Sequence, residues 1–127
     1  MAPVFLKRDE VLAVHADQIA RYGGSPGLRD AGGLESAISQ PMSAFGGNWL
    51  HADRFQMAAA YLFHLVQGHP FIDGNKRVGA AAGLVFLLMN SAEIEADEND
   101  LVELVLGVAR GQLGKDAVAD FLRVHAV

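Results

Sequence analysis

Apolar side chains recur at helical spacing over most of the chain. Val11, Leu12, His15, Ile19 and Tyr22 predict a first helix from about Arg8 to Tyr22, with those residues on its inner face. Gly23-Gly24 stops it. After Ser25-Pro26-Gly27, Asp30 is a natural N-cap for a second helix that carries Leu34, Ala37 and Ile38 on one face and ends at Pro41. The periodicity breaks between Met42 and Leu50, where Ser43, Gly46, Gly47 and Asn48 surround Phe45 and Trp49. This composition suits an irregular loop or a small hairpin. Its aromatics either pin the segment to the core or form a flap that meets a partner.

The helical pattern resumes at Asp53, a candidate cap, and runs to Gln67, with Gly68 as a C-cap glycine. A fourth helix is expected from Asn75, its N-cap, to Asn90. Gly79 and Gly83 lie inside it among alanines. An interior glycine costs about 1 kcal/mol against alanine, so two of them predict the close approach of a neighbouring helix. Ile94 and Glu95 suit a short strand against Phe5 and Leu6. Helices over Asp100–Arg110 and Lys115–His125, the last with Val118, Phe121 and Leu122 inward, complete an all-α fold of about six helices with room for one short β pairing. No internal repeat, linker or low-complexity segment is visible.

The 127 residues fit one domain spanning 1–127, and 51% hydrophobic content supports a core. The net charge of −5 disfavours nonspecific nucleic-acid binding. The absence of cysteine excludes disulfides, thiolate metal sites and cysteine nucleophiles. The first residues lack the basic-then-apolar pattern of a signal peptide. The longest apolar run, Val78 to Met89, falls well short of the ~20 residues of a membrane span. The expected location is the cytoplasm.

Chemistry concentrates in His69-Pro70-Phe71-Ile72-Asp73-Gly74-Asn75-Lys76-Arg77. His69 suits a general base, because imidazole transfers protons near neutral pH. Asp73 suits magnesium, which takes one or two carboxylates plus substrate phosphates. Lys76 and Arg77 sit in the first turn of the fourth helix, where cations oppose the helix dipole unless an anion joins them. Helix N-termini bind phosphate through free N–H groups, and Gly74 permits close approach. Read singly, each residue has a plainer role: a loop histidine, a turn aspartate, solvated cations. Together they describe a phosphate-handling site. The spacing matches neither a Walker A loop nor a zinc-protease helix. His64 reads as a core-flanking helix residue, and His15, His51 and His125 carry no motif spacing.

The stretch His69–Arg77 resembles the Fic superfamily motif, and Lys76 is the variant of its death-on-curing (Doc) branch. The segment Arg21-Tyr22-Gly23-Gly24-Ser25-Pro26-Gly27-Leu28-Arg29-Asp30, the following Leu34-Glu35-Ser36-Ala37-Ile38 and the chain length are similar to the same branch. The resemblance implies a compact all-helical fold and the toxin of a type II toxin–antitoxin pair. It implies His69 as base on a target hydroxyl, Asp73 as magnesium ligand, Gly74, Asn75, Lys76 and Arg77 as the ATP phosphate cradle, and Phe71 as a buried anchor. Lys76 and Arg77 are counted with the catalytic residues.

Adenylyl-transferring relatives carry glycine at the position of Lys76 and often a second arginine where this chain has Ala80. A lysine there crowds the usual nucleotide pose. In the Doc branch the nucleotide is reversed and the γ-phosphate faces the target. The implied reaction is phosphoryl transfer to a Ser or Thr of elongation factor Tu, which blocks translation. Pro70 and Gly74 are nearer the general Fic pattern, which keeps AMP transfer as the alternative. A catalytically idle antitoxin-binding module is the third reading. Ser91 and Glu95 have the spacing of a self-inhibitory helix, but Ala96 breaks the pattern. Inhibition is then expected from a separate antitoxin whose peptide occupies an apolar groove.

Overall fold

One helix, α3 (Arg54–Gly68), organises the molecule. The computed structural model describes residues 2–127. The other helices are α1 (Arg8–Tyr22), α2 (Ala31–Ser39), α4 (Asn75–Met89), α5 (Glu98–Ala109) and α6 (Lys115–Val124). α4, then α6, α2 and α5, pack on α3, whereas α1 lies mainly on α4. The run Met57–Leu62 is buried all round, as a central helix requires. Among the described residues the fold is helical, with a 3-10 turn at Gln40–Met42, a hairpin of β1 (Ala44–Phe45) and β2 (Asn48–Trp49), and two isolated bridges.

The glycines of α4 do what their spacing predicts. A Cβ on Gly79 would stand 2.7 Å from Val66 Cγ2 and 3.0 Å from the Leu62 carbonyl oxygen. One on Gly83 would stand 3.2 Å from the Ala58 carbonyl oxygen. The backbone of α4 therefore lies directly on α3, which fixes the loop between them from both ends.

Asp30 and Asp53 cap α2 and α3, accepting from the N–H groups of Gly33 and Gln56. Gly23 ends α1 with φ 83°, its N–H bonded to the Ile19 carbonyl at 2.8 Å. α5 starts earlier than Asp100, because Asp97 caps it through the N–H of Asn99. The expected inner face of α1 holds for Val11 and His15, but Tyr22 is 68% exposed.

The strand expected at Ile94 does not pair with Phe5 and Leu6. Ile94 bridges Ala126, with the Glu95 N–H bonded to the His125 carbonyl at 2.9 Å. The N-terminal segment is held by side chains instead. Asn90 exchanges two hydrogen bonds with the backbone of Val4, at 2.8 and 2.9 Å, and the Tyr61 hydroxyl accepts from the Leu6 N–H at 2.9 Å. These side chains satisfy the groups that a strand would otherwise have paired. Burial pushes the Tyr61 phenol up to about 12.

The hairpin separates the two roles considered for its aromatics. Trp49 packs edge-on to Phe5, with ring centroids 5.3 Å apart, whereas Phe45 at the turn is 86% exposed. Among the described residues no helix is long and apolar enough to cross a membrane.

Candidate active site

The α3–α4 loop is braced from beneath by Asn75. Its side-chain oxygen accepts from the Phe71 N–H and its amide donates to the Phe71 carbonyl, both at 3.0 Å. Asn75 is therefore the first residue of α4 and not its cap. The cap is Gly74, at φ 77° and ψ 18°. That left-handed conformation suits glycine, and a cap without a side chain leaves the helix end open. The N–H groups of Asn75, Lys76 and Arg77 find no acceptor among the described residues. Asn75 can thus contribute a backbone donor to a phosphate, while its side chain is committed to the loop.

The other end of the loop is also displaced from expectation. α3 runs through Gly68, and the left-handed residue is His69, at φ 48° and ψ 51°. Pro70 cannot extend the helix and biases the residue before it away from the right-handed region. A non-glycine residue held there stores about 1–3 kcal/mol of strain, a recurring feature of functional sites. The imidazole is exposed. Its Nδ1 lies 3.2 Å from the Gln67 carbonyl oxygen, and Nε2 makes no hydrogen bond among the described residues.

Asp73 occupies the middle of the loop. One carboxylate oxygen accepts from the Ser25 N–H at 3.2 Å and the other from the Gly74 N–H at 2.8 Å. These two bonds, with nearby Arg77 and His15, hold the carboxyl below the usual carboxylate range. Phe71 is the buried anchor expected of it.

The two cations diverge. Lys76 is exposed and pairs with no carboxylate among the described residues. Arg77 is half-buried, and its Nη1 donates to the carbonyls of Gly23 at 2.9 Å and Gln18 at 3.3 Å. It thereby fastens the end of α1 to the start of α4. A groove of about 480 Å³ opens beside both cations, between α1, α4 and α5, with Tyr22, Ala80, Leu84, Leu101 and Val105 in its walls.

The glycine-rich segment before α2 lies against the loop. The N–H groups of Arg29 and Asp30 both reach the Pro70 carbonyl, at 2.8 and 2.9 Å, and the Ile72 N–H reaches the Gly27 carbonyl at 3.1 Å. Gly24 must be small here, since a Cβ would come within 2.6 Å of an Asp73 carboxylate oxygen.

Two contributors are not evident from the motif. His15 is buried, stacks on Phe71 and reaches the Asp73 carbonyl from Nε2. Its position on the inner stripe of α1 was the available signal, because a buried imidazole needs a polar partner. Arg29 grips the end of α3, donating to the carbonyls of Gly68 and His69. Nothing in its local spacing marks that reach.

The Fic/DOC family model matches residues 5–87. "Protein kinase doc" of Escherichia phage P1 is 36% identical over 115 residues, covering 91% of this chain and 90% of that protein. "Toxin Doc" of Mycolicibacterium smegmatis is 37% identical over 93 residues, covering 73% and 69%. The chain belongs to the Fic/DOC family.

Proposed function

We propose that this chain is the toxin of a toxin–antitoxin pair and transfers the γ-phosphoryl group of ATP to a Ser or Thr hydroxyl of a translation factor, elongation factor Tu being the expected target. One observation carries this reading. The open first turn of α4 shares a short loop with an imidazole whose Nε2 is free and a carboxylate that stays ionised. The N–H groups of the first turn and the helix dipole favour a phosphate there, and Lys76 in the same turn supplies a cation. The kinase named in the phage P1 relative supports the same chemistry.

In this reading His69 Nε2 takes the proton of the target hydroxyl as its oxygen attacks the γ-phosphorus, and ADP leaves. The N-terminal amides of α4 and Lys76 offset charge on the equatorial phosphoryl oxygens, so catalysis consists of positioning and electrostatic stabilisation. Asp73 fits magnesium by its donor set. It is one exposed, ionised carboxylate, and the described residues contain no cluster of three or more ligating side chains. Such a site suits an ion that completes its coordination with phosphate oxygens and water. Bound magnesium would neutralise charge on the β- and γ-phosphates. The groove beside Lys76 is where an antitoxin segment with apolar side chains would dock, covering the phosphate end of the site.

The test is incubation of the chain with ATP, magnesium and elongation factor Tu, followed by intact-mass measurement of the target. A phosphoryl-sized gain that disappears with His69→Ala is expected. An adenylyl-sized gain would overturn the nucleotide orientation and install AMP transfer in its place. Lys76→Gly addresses the same point, because adenylyl transfer appearing only in that variant ties the orientation to the lysine. No gain, with ATP still bound, would count against this target.

A further inference from the structure

We infer that Arg29 is a positioning residue for the reaction, holding the His69 backbone in the left-handed conformation from which its imidazole works. The inference rests on the role of His69 as base.

The chain end of α3 poses a specific problem. The last carbonyls of a helix lack intrahelical partners, and a left-handed end normally satisfies them with the N–H groups that follow. Here the following residue is Pro70, which has no N–H to give. Among the described residues no backbone N–H caps this helix end. Arg29 replaces the missing donors. Its Nε donates to the His69 carbonyl at 2.8 Å and its Nη2 to the Gly68 carbonyl at 3.2 Å, with a second contact from Nη2 to His69. The guanidinium thus grips the two carbonyls that flank the strained φ and ψ of His69. Its positive charge also lies at the negative end of the α3 dipole.

The grip is itself fixed. The Arg29 N–H is bonded to the Pro70 carbonyl, and Leu28 bridges Phe71. Arg29 makes no ion pair among the described residues, so its charge is committed to these carbonyls. Lysine cannot reproduce the arrangement, since a single ammonium lacks the planar fork that spans two carbonyls. Among the described residues the imidazole is held only by a 3.2 Å contact to the Gln67 carbonyl, and its aim therefore depends on the backbone beneath it.

The experiment compares Arg29→Lys and Arg29→Ala with His69→Ala by steady-state kinetics, and follows the ¹³Cα and ¹³Cβ shifts of His69 by NMR. Misplacing a reacting group by about 1 Å costs on the order of 100-fold in rate. For both Arg29 variants kcat is expected to fall roughly 10- to 100-fold with KM for ATP unchanged, Arg29→Ala recovering part of the loss in millimolar ethylguanidinium. The His69 shifts are expected to leave left-handed values in both, while the remaining helix signals stay native. Full kcat with left-handed His69 shifts in Arg29→Ala would overturn the inference. A parallel loss of kcat and ATP affinity with global broadening would also overturn it, by making Arg29 merely structural. Transfer that survives His69→Ala would instead remove the base assignment, and the His69 shifts would still report whether Arg29 sets that backbone.

Discussion

The imidazole of His15 lies flat on the ring of Phe71, with centroids 3.8 Å apart and planes 7° from parallel, while its Nε2 stands 2.8 Å from the Asp73 carbonyl oxygen. One buried side chain of α1 therefore supports both the Phe71 anchor of the α3–α4 loop and the backbone of Asp73. His15→Ala removes the stacking and the hydrogen bond together. We expect a loss of roughly 2–4 kcal/mol in unfolding free energy, measured by urea titration. His15→Phe keeps an aromatic face against Phe71 and should lose less. Equal losses in the two variants would show that the stacking contributes nothing.

Asn75 offers a test of the loop that leaves its volume almost unchanged. Asn75→Asp still accepts from the Phe71 N–H but turns a donor into an oxygen facing the Phe71 carbonyl 3.0 Å away. The cost should be about 1–3 kcal/mol, the range for a buried polar group left without its partner. Thermal melts followed by circular dichroism give the answer, and an unchanged midpoint would mean that the loop does not depend on this bridge.

Gly79→Ala opposes two effects. Helix propensity favours alanine by about 1 kcal/mol. The new methyl would meet Val66 at 2.7 Å and the Leu62 carbonyl at 3.0 Å, and backbone cannot step aside as a flexible side chain can. Overpacking of this kind costs about 1–3 kcal/mol, so a net destabilisation is expected. A more stable variant would show that α4 can move off α3 at little cost.

Acid should weaken the fold through His64. Burial, then Lys115 and His51, push its imidazole down to about 4 from 6.5. Lys115 Nζ lies 3.2 Å from the Nε2 of both His51 and His64, joining α6 to α3 and to the segment before it. Above about pH 6.5 His64 is neutral whether the chain is folded or not. As pH falls from there towards 4, the unfolded chain takes up a proton that the folded chain refuses, and stability declines. The melting temperature should drop by several degrees over that window. His64→Gln should flatten the decline; a slope identical to the parent chain would place the acid sensitivity elsewhere.

Helix existence was legible in the chain because each helix carries its own apolar stripe and local stop signals. Asp30 and Asp53 act as the caps their positions suggest, and Gly23 ends α1. Ends governed by distant groups were not legible. Asn75 has the composition of a cap, yet its amide turns back to the Phe71 backbone, because that buried stretch of backbone needs its polar groups paired more than the helix needs a side-chain cap. The Ile94 segment bridges Ala126, while Asn90 and Tyr61 satisfy backbone groups of the N-terminal segment.

The sequence by itself determined the helical class, the close contact at Gly79 and the clustering of candidate site residues between His69 and Arg77, since periodicity, glycine placement and motif spacing are local properties. Only the tertiary structure decided that Arg77 fastens α1 while Lys76 pairs with no carboxylate among the described residues, that His15 underlies the carboxylate, and that Arg29 grips the end of α3. Those roles depend on hydrogen bonds between residues far apart in the chain. Which donor reaches which carbonyl is fixed only when the helices have packed.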